Sequence, residues 1–251
     1  LKEIYDYPFV LFYQGDPQLL TSPNTLGVVG SRNATEYSAK AMQYLFPKFK
    51  QIPLTIISGL AKGADSIAHH FAIEYQLPTI AVLGFGHMMH YPRETQKLRN
   101  IIEEKGLVIS EYPPLTSVRR YHFPQRNRLI SGLSQGVLIT EASVRSGSQI
   151  TIDCALDQNR NIYVLPGSIF NPLTKGNLKR FKDDSAIRLY LLKQVFNTYT
   201  KEEQQKVVRY MQSHGRIKTH ELIERLQVDL FNVGHGKPLT KACEPQQAMV
   251  V

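Results

Sequence analysis

Between Glu111 and Glu141 the chain carries no acidic residue, and Arg119, Arg120, Arg126 and Arg128 all fall within that interval. Tyr112, Tyr121, His122 and Phe123 are interleaved with these arginines. Guanidinium groups neutralise phosphates while rings stack under bases, so this mixture suits a single-stranded nucleic acid. It equally suits a helix whose Phe123 packs in the core and whose arginines face solvent. The two readings differ in which elements hold these residues and in what else reaches the same place.

Three further segments carry polar chemistry. In VVGSRNAT (28–35), Gly30 permits close backbone approach, Ser31 can donate a hydrogen bond and Arg32 can clamp a phosphate bidentately. In SGLAKGAD (58–65), Ser58, Gly59 and Gly63 shape a turn, Lys62 supplies charge and Asp65 favours a helix N-terminus. In TEASVRSGSQIT (140–151), Arg145 adds a cation, Ser146 or Ser148 can cap the next helix, and Glu141 is a lone carboxylate without a partner acid or positioned nucleophile.

Other chemistries are excluded by context. GLSQG (132–136) matches a serine-hydrolase elbow, but a helix precedes Ser134 and a strand follows, the reverse of the order an elbow needs. The first turn is not GxGxxG, and the GK pair at Gly236 and Lys237 is followed by proline, so neither a dinucleotide fingerprint nor a Walker motif is present. His87 and His90 in GFGHMMHYPRE (84–94) lack a third ligand at a telling spacing and read as loop histidines. Cys154 and Cys243 form neither a CxxC pair nor a zinc cluster, which fits a reducing cytoplasm.

The elements that must hold these residues follow from periodicity. LGVVG (26–30), LTIIS (54–58), TIAVLG (79–84), LVIS (107–110), GVLIT (136–140) and IYVLP (162–166) read as strands buried on both faces, separated by segments long enough for crossover helices. YPFVLFYQGD (7–16) reads as an extra strand ending in a turn. In residues 63–75, Ala64, Ile67, Ala68, Phe71, Ala72 and Tyr75 form a sheet-facing stripe, with His69 and His70 on or beside the other face. The layout is a doubly wound α/β domain, in which ligands bind beyond the carboxyl ends of the strands. Residues 1–196 form this domain, and residues 197–251 are expected to form a small helical segment and tail. In that segment Val207, Val208 and Met211 make one apolar face, and Leu222, Ile223 and Leu226 another, around Gly215. Lys and Arg number 30 against 21 Asp and Glu, a formal +9 that favours a polyanionic partner. No apolar run is long enough to span a bilayer.

VVGSR, SGLAKGAD, AVLGFGHMMHYP, SEYPP, FPQRNRLISGLS, EASVRSGSQIT and VLPGS, in this order and spacing, resemble the DNA-processing protein A (DprA/Smf) family over about residues 5–177. The resemblance implies an extended Rossmann-like fold, with a mostly parallel sheet and a winged-helix remnant at the C-terminus. It implies a cytoplasmic protein of natural transformation that binds and protects single-stranded DNA and loads the RecA recombinase onto it. Such a protein acts as a homodimer, without a nucleotide cofactor, and is not an enzyme. Carried onto this chain, it puts Gly30, Ser31, Arg32, Arg126, Asn127 and Arg128 in contact with DNA, with Lys62, Phe123, Arg145, Ser146 and Gly147 at the rim and the Ser58–Gly59 turn beside them. The chain departs from the family's pattern at Gly86, His87 and Met88, and again at Ser185 and Ala186. The alternative is a Rossmann-type nucleotide-processing phosphoribohydrolase, whose PGGxGTxxE block has only RSGSQIT as its nearest counterpart here. A double-stranded-DNA regulator would need a base-reading helix, whereas ELIERLQVD is acidic and apolar.

Overall fold

The structure is a computed structural model, and it describes residues 1–2, 4–167, 170–182 and 187–188. The elements run β1 (Phe12–Gly15), β2 (Asn24–Val29), α1 (Glu36–Phe49), β3 (Leu54–Ser58), α2 (Ala64–Glu74), β4 (Thr79–Leu83), α3 (Gln96–Lys105), β5 (Leu107–Ser110), α4 (His122–Leu133), β6 (Gly136–Ile139), α5 (Ser148–Asp157), β7 (Asn161–Val164), α6 (Lys175–Lys182) and β8 (Ile187–Arg188). The six strands expected from residue 26 onward form within two residues of their expected starts, whereas the extra strand expected over 7–16 is confined to Phe12–Gly15.

The strands make one sheet in the order β1-β5-β4-β3-β2-β6-β7-β8, parallel except for β1, which pairs antiparallel with β5. Alternation along each strand divides the core between the two faces. On one face Ile57, Ile80, Val82, Val137 and Ile139 pack with Leu129 and Ile130 of α4 and Ile152 and Ala155 of α5. On the other, Val28, Ile56 and Leu138 pack with Met42 and Phe46 of α1 and Ala64, Ala68 and Phe71 of α2. Ala81, Leu83 and Val108 meet Ile102 of α3 there. Both faces are covered, which is why the strands read as near-continuous apolar runs.

One expectation for α2 is corrected. His69 is fully buried, because α2 is wedged against α1 and α3 as well as the sheet. Thr79 Oγ1 donates to Ile56 O and accepts from His69 Nδ1 at 2.7 Å, so the ring is held as a neutral donor. Burial, reinforced by the charge of Arg126, pushes its pKa down to about 3. His70 does face outward, beside Glu74. The helices expected beyond residue 196, Cys243 and the departure at Ser185–Ala186 lie outside the described residues.

No helix among the described residues is long and apolar enough to cross a membrane.

Candidate functional site

Strand order reverses at β2, whose neighbours are β3 on one side and β6 on the other. The chain leaves β2 for the α1 face and leaves β6 for the α5 face, so a crevice opens between the two departing turns. A cleft of about 460 Å³ occupies it, lined by Gly30, Ser31, Arg32, Phe123, Arg126 and Asn127, and by Ser146 to Ser148 across the gap.

The Gly-Ser-Arg turn is built by close backbone contact. Ser31 N–H donates to Glu141 O at 2.6 Å, and Ser31 O accepts from Ala64 N–H at 3.0 Å. Gly63, which caps α2 with φ +75°, lies so near that a Cβ there would fall 2.4 Å from the carbonyl oxygens of both Ser31 and Arg32. A Cβ on Gly30 would meet Thr140 Oγ1 at 2.3 Å. Held in this way, Arg32 stays exposed and brings its guanidinium to 5.3 Å from the centre of the Phe123 ring. That pairing draws the cation and the ring into one surface.

Arg126, Asn127 and Arg128 are consecutive on α4, and they point three ways. Arg126 turns inward, only 3% exposed, and donates to Gly59 O at 2.8 Å and to Val82 O. It remains a cation in the cleft floor, 5.9 Å from the Phe123 ring, with Nη1 committed to those two carbonyls and Nε donating to Asn127 Oδ1 at 3.2 Å. Burial lowers its pKa to about 10, partly offset by Asp65. Asn127 faces the cleft and reaches Gly147 O at 3.4 Å, joining α4 to the turn before α5. Arg128 turns away, donating to Asp6 at 2.9 Å and Glu111 at 2.6 Å, and it does not line the cleft. The three residues expected to grip one backbone thus diverge, and both guanidiniums among them are hydrogen-bonded within the protein.

Ser58 also departs from its expected place. It is fully buried and donates to Val28 O at 2.6 Å, tying β3 to β2. Gly59 lies under the Arg126 guanidinium, which a Cβ would meet at 2.5 Å. Lys62 is exposed and paired with Glu94, and Arg145 is exposed outside the lining. In the turn before α5, Ser148 Oγ donates to Gly30 O at 2.7 Å and lies 3.0 Å from Ser146 Oγ. This stitches the β6 side of the crevice to the β2 side.

The carboxylates separate by role. Glu141 is fully buried and accepts from Thr35 N–H and Oγ1, both at 2.8 Å, and from Ser38 Oγ at 2.7 Å. It holds the start of α1 to the end of β6 and does not line the cleft. Asp65 does line it, 8% exposed, and burial pushes its carboxyl up to about 6 against the pull of Arg126, the Ala61 N–H and Arg32. Three arginines, Arg32, Arg120 and Arg126, therefore stand against one carboxylate in the lining. Ser134 is buried and donates to Ile130 O at 2.7 Å, behind a helix and ahead of a strand, so it is no nucleophile. Among the described residues no group of His, Cys, Asp and Glu is arranged to hold a metal ion.

Asp65 and Arg120 were not marked as site residues by sequence reasoning. Arg120 carried a signal, since it lies in the acid-free interval. Asp65 carried a misleading one, because a carboxylate in the first turn of a helix is explained by the helix dipole alone.

The sequence model of the family described as DNA recombination-mediator protein A matches residues 1–200. The DNA processing protein DprA of Bacillus subtilis is 41% identical over 179 residues, covering 71% of this chain and 60% of that protein. DprA of Streptococcus pneumoniae is 43% identical over 176 residues, 70% of this chain and 62% of that one. Protein Smf of Escherichia coli is 42% identical over 172 residues, 68% and 46% of the two chains. This chain thus spans about half to three-fifths of the length of these relatives. The X-ray structure of DprA from Streptococcus pneumoniae superposes with a TM-score of 0.71 at 40% identity, covering 74% of this chain and 65% of that one. A structure of DNA processing protein A from Helicobacter pylori, described as giving insight into its unique single-stranded DNA binding mode, superposes at 0.70 with 28% identity, covering 75% and 85%. A second family model, encapsidation protein CP3, matches residues 169–246, mostly beyond the described part of the chain.

Proposed function

The chain belongs to the DNA recombination-mediator protein A family, and from that premise we propose that its cleft binds single-stranded DNA. The observation that carries this reading is the Arg32 guanidinium 5.3 Å from the Phe123 ring, in a crevice with three arginines and one carboxylate in its lining. A phosphate meets Arg32 and Arg120 at the mouth, and a base lies on Phe123, while buried Arg126 keeps the floor positive. Gly30, Ser31, Asn127, Ser146 and Gly147 supply the polar wall. Lys62 and Arg145 are the outlying cations, and Arg128 and Ser58 act as supports behind the surface. An unpaired strand fits because a duplex hides the face of each base that Phe123 would stack on.

The same reading extends to the whole protein. It acts as a homodimer in the cytoplasm, protects incoming strands during transformation, and loads RecA onto them without a nucleotide cofactor. Hydrolysis is disfavoured by the position of Glu141, which is saturated by Thr35 and Ser38 outside the cleft.

Anisotropy titration of labelled single- and double-stranded oligonucleotides tests the binding. Single strands bind more tightly. Arg32→Ala weakens binding and lowers the slope of log K against log salt by about one, and Phe123→Ala weakens it by at least about fivefold, the equivalent of one stacked base. Equal affinity for duplex, or no loss in either variant, overturns the reading. RecA filament growth on the same strands, with and without the protein, tests loading. Turnover of a nucleoside monophosphate that is lost in Asp65→Asn would instead favour the hydrolase.

A further inference from the structure

The aromatic surface does not end at the cleft. Phe85, 2% exposed, forms a floor on which two rings stand edge-on: Phe123 at 6.4 Å and Tyr91 at 6.0 Å. Tyr91 lies 6.0 Å from Phe123, tilted by 44°, is 44% exposed and lies outside the cleft lining. A base inserted between two rings needs about 7 Å between parallel faces, two van der Waals contacts of about 3.5 Å each. The tilted pair offers no such slot. It offers instead two adjacent, partly exposed rings, one per base.

The loop that carries Tyr91 is also tied down. Arg99, 2% exposed, donates to the carbonyls of His87 and Met89, and Met88 N–H donates to Pro114 O at 3.0 Å. On the other side of the ring, Thr95 Oγ1 lies 3.2 Å from Pro92 O and 3.3 Å from Leu60 O, fastening this loop to the turn that carries Lys62. A loop fastened before binding loses less conformational freedom when a base arrives. Lys62 follows Ala61, a lining residue, and its ammonium is paired with Glu94, three positions beyond Tyr91, with both side chains more than half exposed. Exposed pairs of this kind are weakly held, so a phosphate can take the place of the carboxylate.

Resting on the reading of the cleft as a single-strand site, we propose that Tyr91 is a second base-stacking residue and that Lys62, masked by Glu94 in the free protein, takes the phosphate beside it. The strand then runs out of the cleft over Phe123 and Tyr91 in succession. The masked lysine adds a discriminating element: only a strand that already lies on Tyr91 displaces Glu94.

Anisotropy titration of oligo-dT across a salt series, with wild type, Tyr91→Ala, Tyr91→Phe, Glu94→Gln and Phe123→Ala, tests this. Tyr91→Ala weakens binding by at least about fivefold, as expected for one stacked base, while Tyr91→Phe stays within about twofold because the ring face is kept. Glu94→Gln binds more tightly, since no carboxylate competes with phosphate for Lys62, and it keeps the wild-type salt slope because the same phosphates are neutralised in the complex. Tyr91→Ala matching wild type, Tyr91→Phe failing as badly as Tyr91→Ala, or Glu94→Gln binding no more tightly than wild type overturns the proposal. In each of those cases Phe123→Ala still weakens binding, whereas failure of the underlying reading shows as a wild type that does not prefer single strands or a Phe123→Ala variant without effect.

Discussion

Arg126, Asn127 and Arg128 teach the difference between residue type and residue direction. Successive helical residues are rotated by about 100°, so three neighbours cannot share one partner. Arg126 goes to the floor, Asn127 to the cleft, and Arg128 to Asp6 and Glu111. The chemistry of the segment was legible in the sequence. The directions were not, because the phase of α4 is set by Leu129 and Ile130 docking on the sheet. Arg128→Ala is therefore expected to cost stability, about 1–3 kcal/mol for the loss of hydrogen bonds to charged groups, while leaving DNA affinity nearly unchanged. Urea denaturation and anisotropy on the same variant check both halves, and Arg32→Ala shows the opposite pattern.

His69 gives a second prediction at this scale. Its folded pKa, about 3, lies far below the ordinary value of 6.5, so the unfolded chain binds its proton first. Stability is full above about pH 6.5 and is lost as pH falls, by up to about 2 kcal/mol at pH 5. Asp65 has the opposite sign: its raised folded pKa, about 6, adds stability as pH falls below that value. His69→Leu removes the first contribution only. Urea midpoints measured between about pH 7 and pH 5 should fall more steeply for wild type than for this variant, and parallel curves would count against the assignment.

The scale of elements is where the site is assembled. Strands β3 and β5 match their apolar runs residue for residue, because both faces are buried and their few polar members, Thr55, Ser58 and Ser110, are small and hydrogen-bonded within the protein. The turns were less legible, since their geometry comes from contacts across long stretches of chain: Ser148 to Gly30, Asn127 to Gly147, Thr35 to Glu141. Gly63 is the tightest of these junctions. Its φ of +75° and the 2.4 Å approach to Ser31 O and Arg32 O leave no room for a methyl group. Gly63→Ala should lower stability by about 1–3 kcal/mol through backbone strain. It should also displace Arg32, so affinity for single strands falls even under conditions where the variant is fully folded. A thermal melt together with a titration separates the two effects. Glu141→Ala would unpin α1, which makes it a poor probe of catalysis, because lost activity would report lost structure.

At the level of the whole molecule, the charge balance and the sheet order act together. A formal +9 spread evenly would attract any polyanion weakly. The reversal of strand order at β2 concentrates part of it, bringing Arg32, Arg120 and Arg126 from distant parts of the chain to one crevice. Composition made a polyanionic partner legible, and the βα alternation made the carboxyl edge of the sheet the place to look.

Because β2 to β8 all run parallel, every turn that enters a strand lies on the edge opposite the cleft. Gln51–Pro53 ahead of β3 and Gln158–Arg160 ahead of β7 are such turns. The edge that bears the cleft and the edge where strands begin are thus separate surfaces of the sheet. A fluorescent domain spliced into Gln51–Pro53 should leave affinity within about twofold, since exposed turns remote from a site tolerate insertion, whereas the same insert at Leu60–Lys62 should abolish binding. That opposite edge is where a tether to a bead, a surface or another protein can be fixed while the proposed single-strand site is left clear.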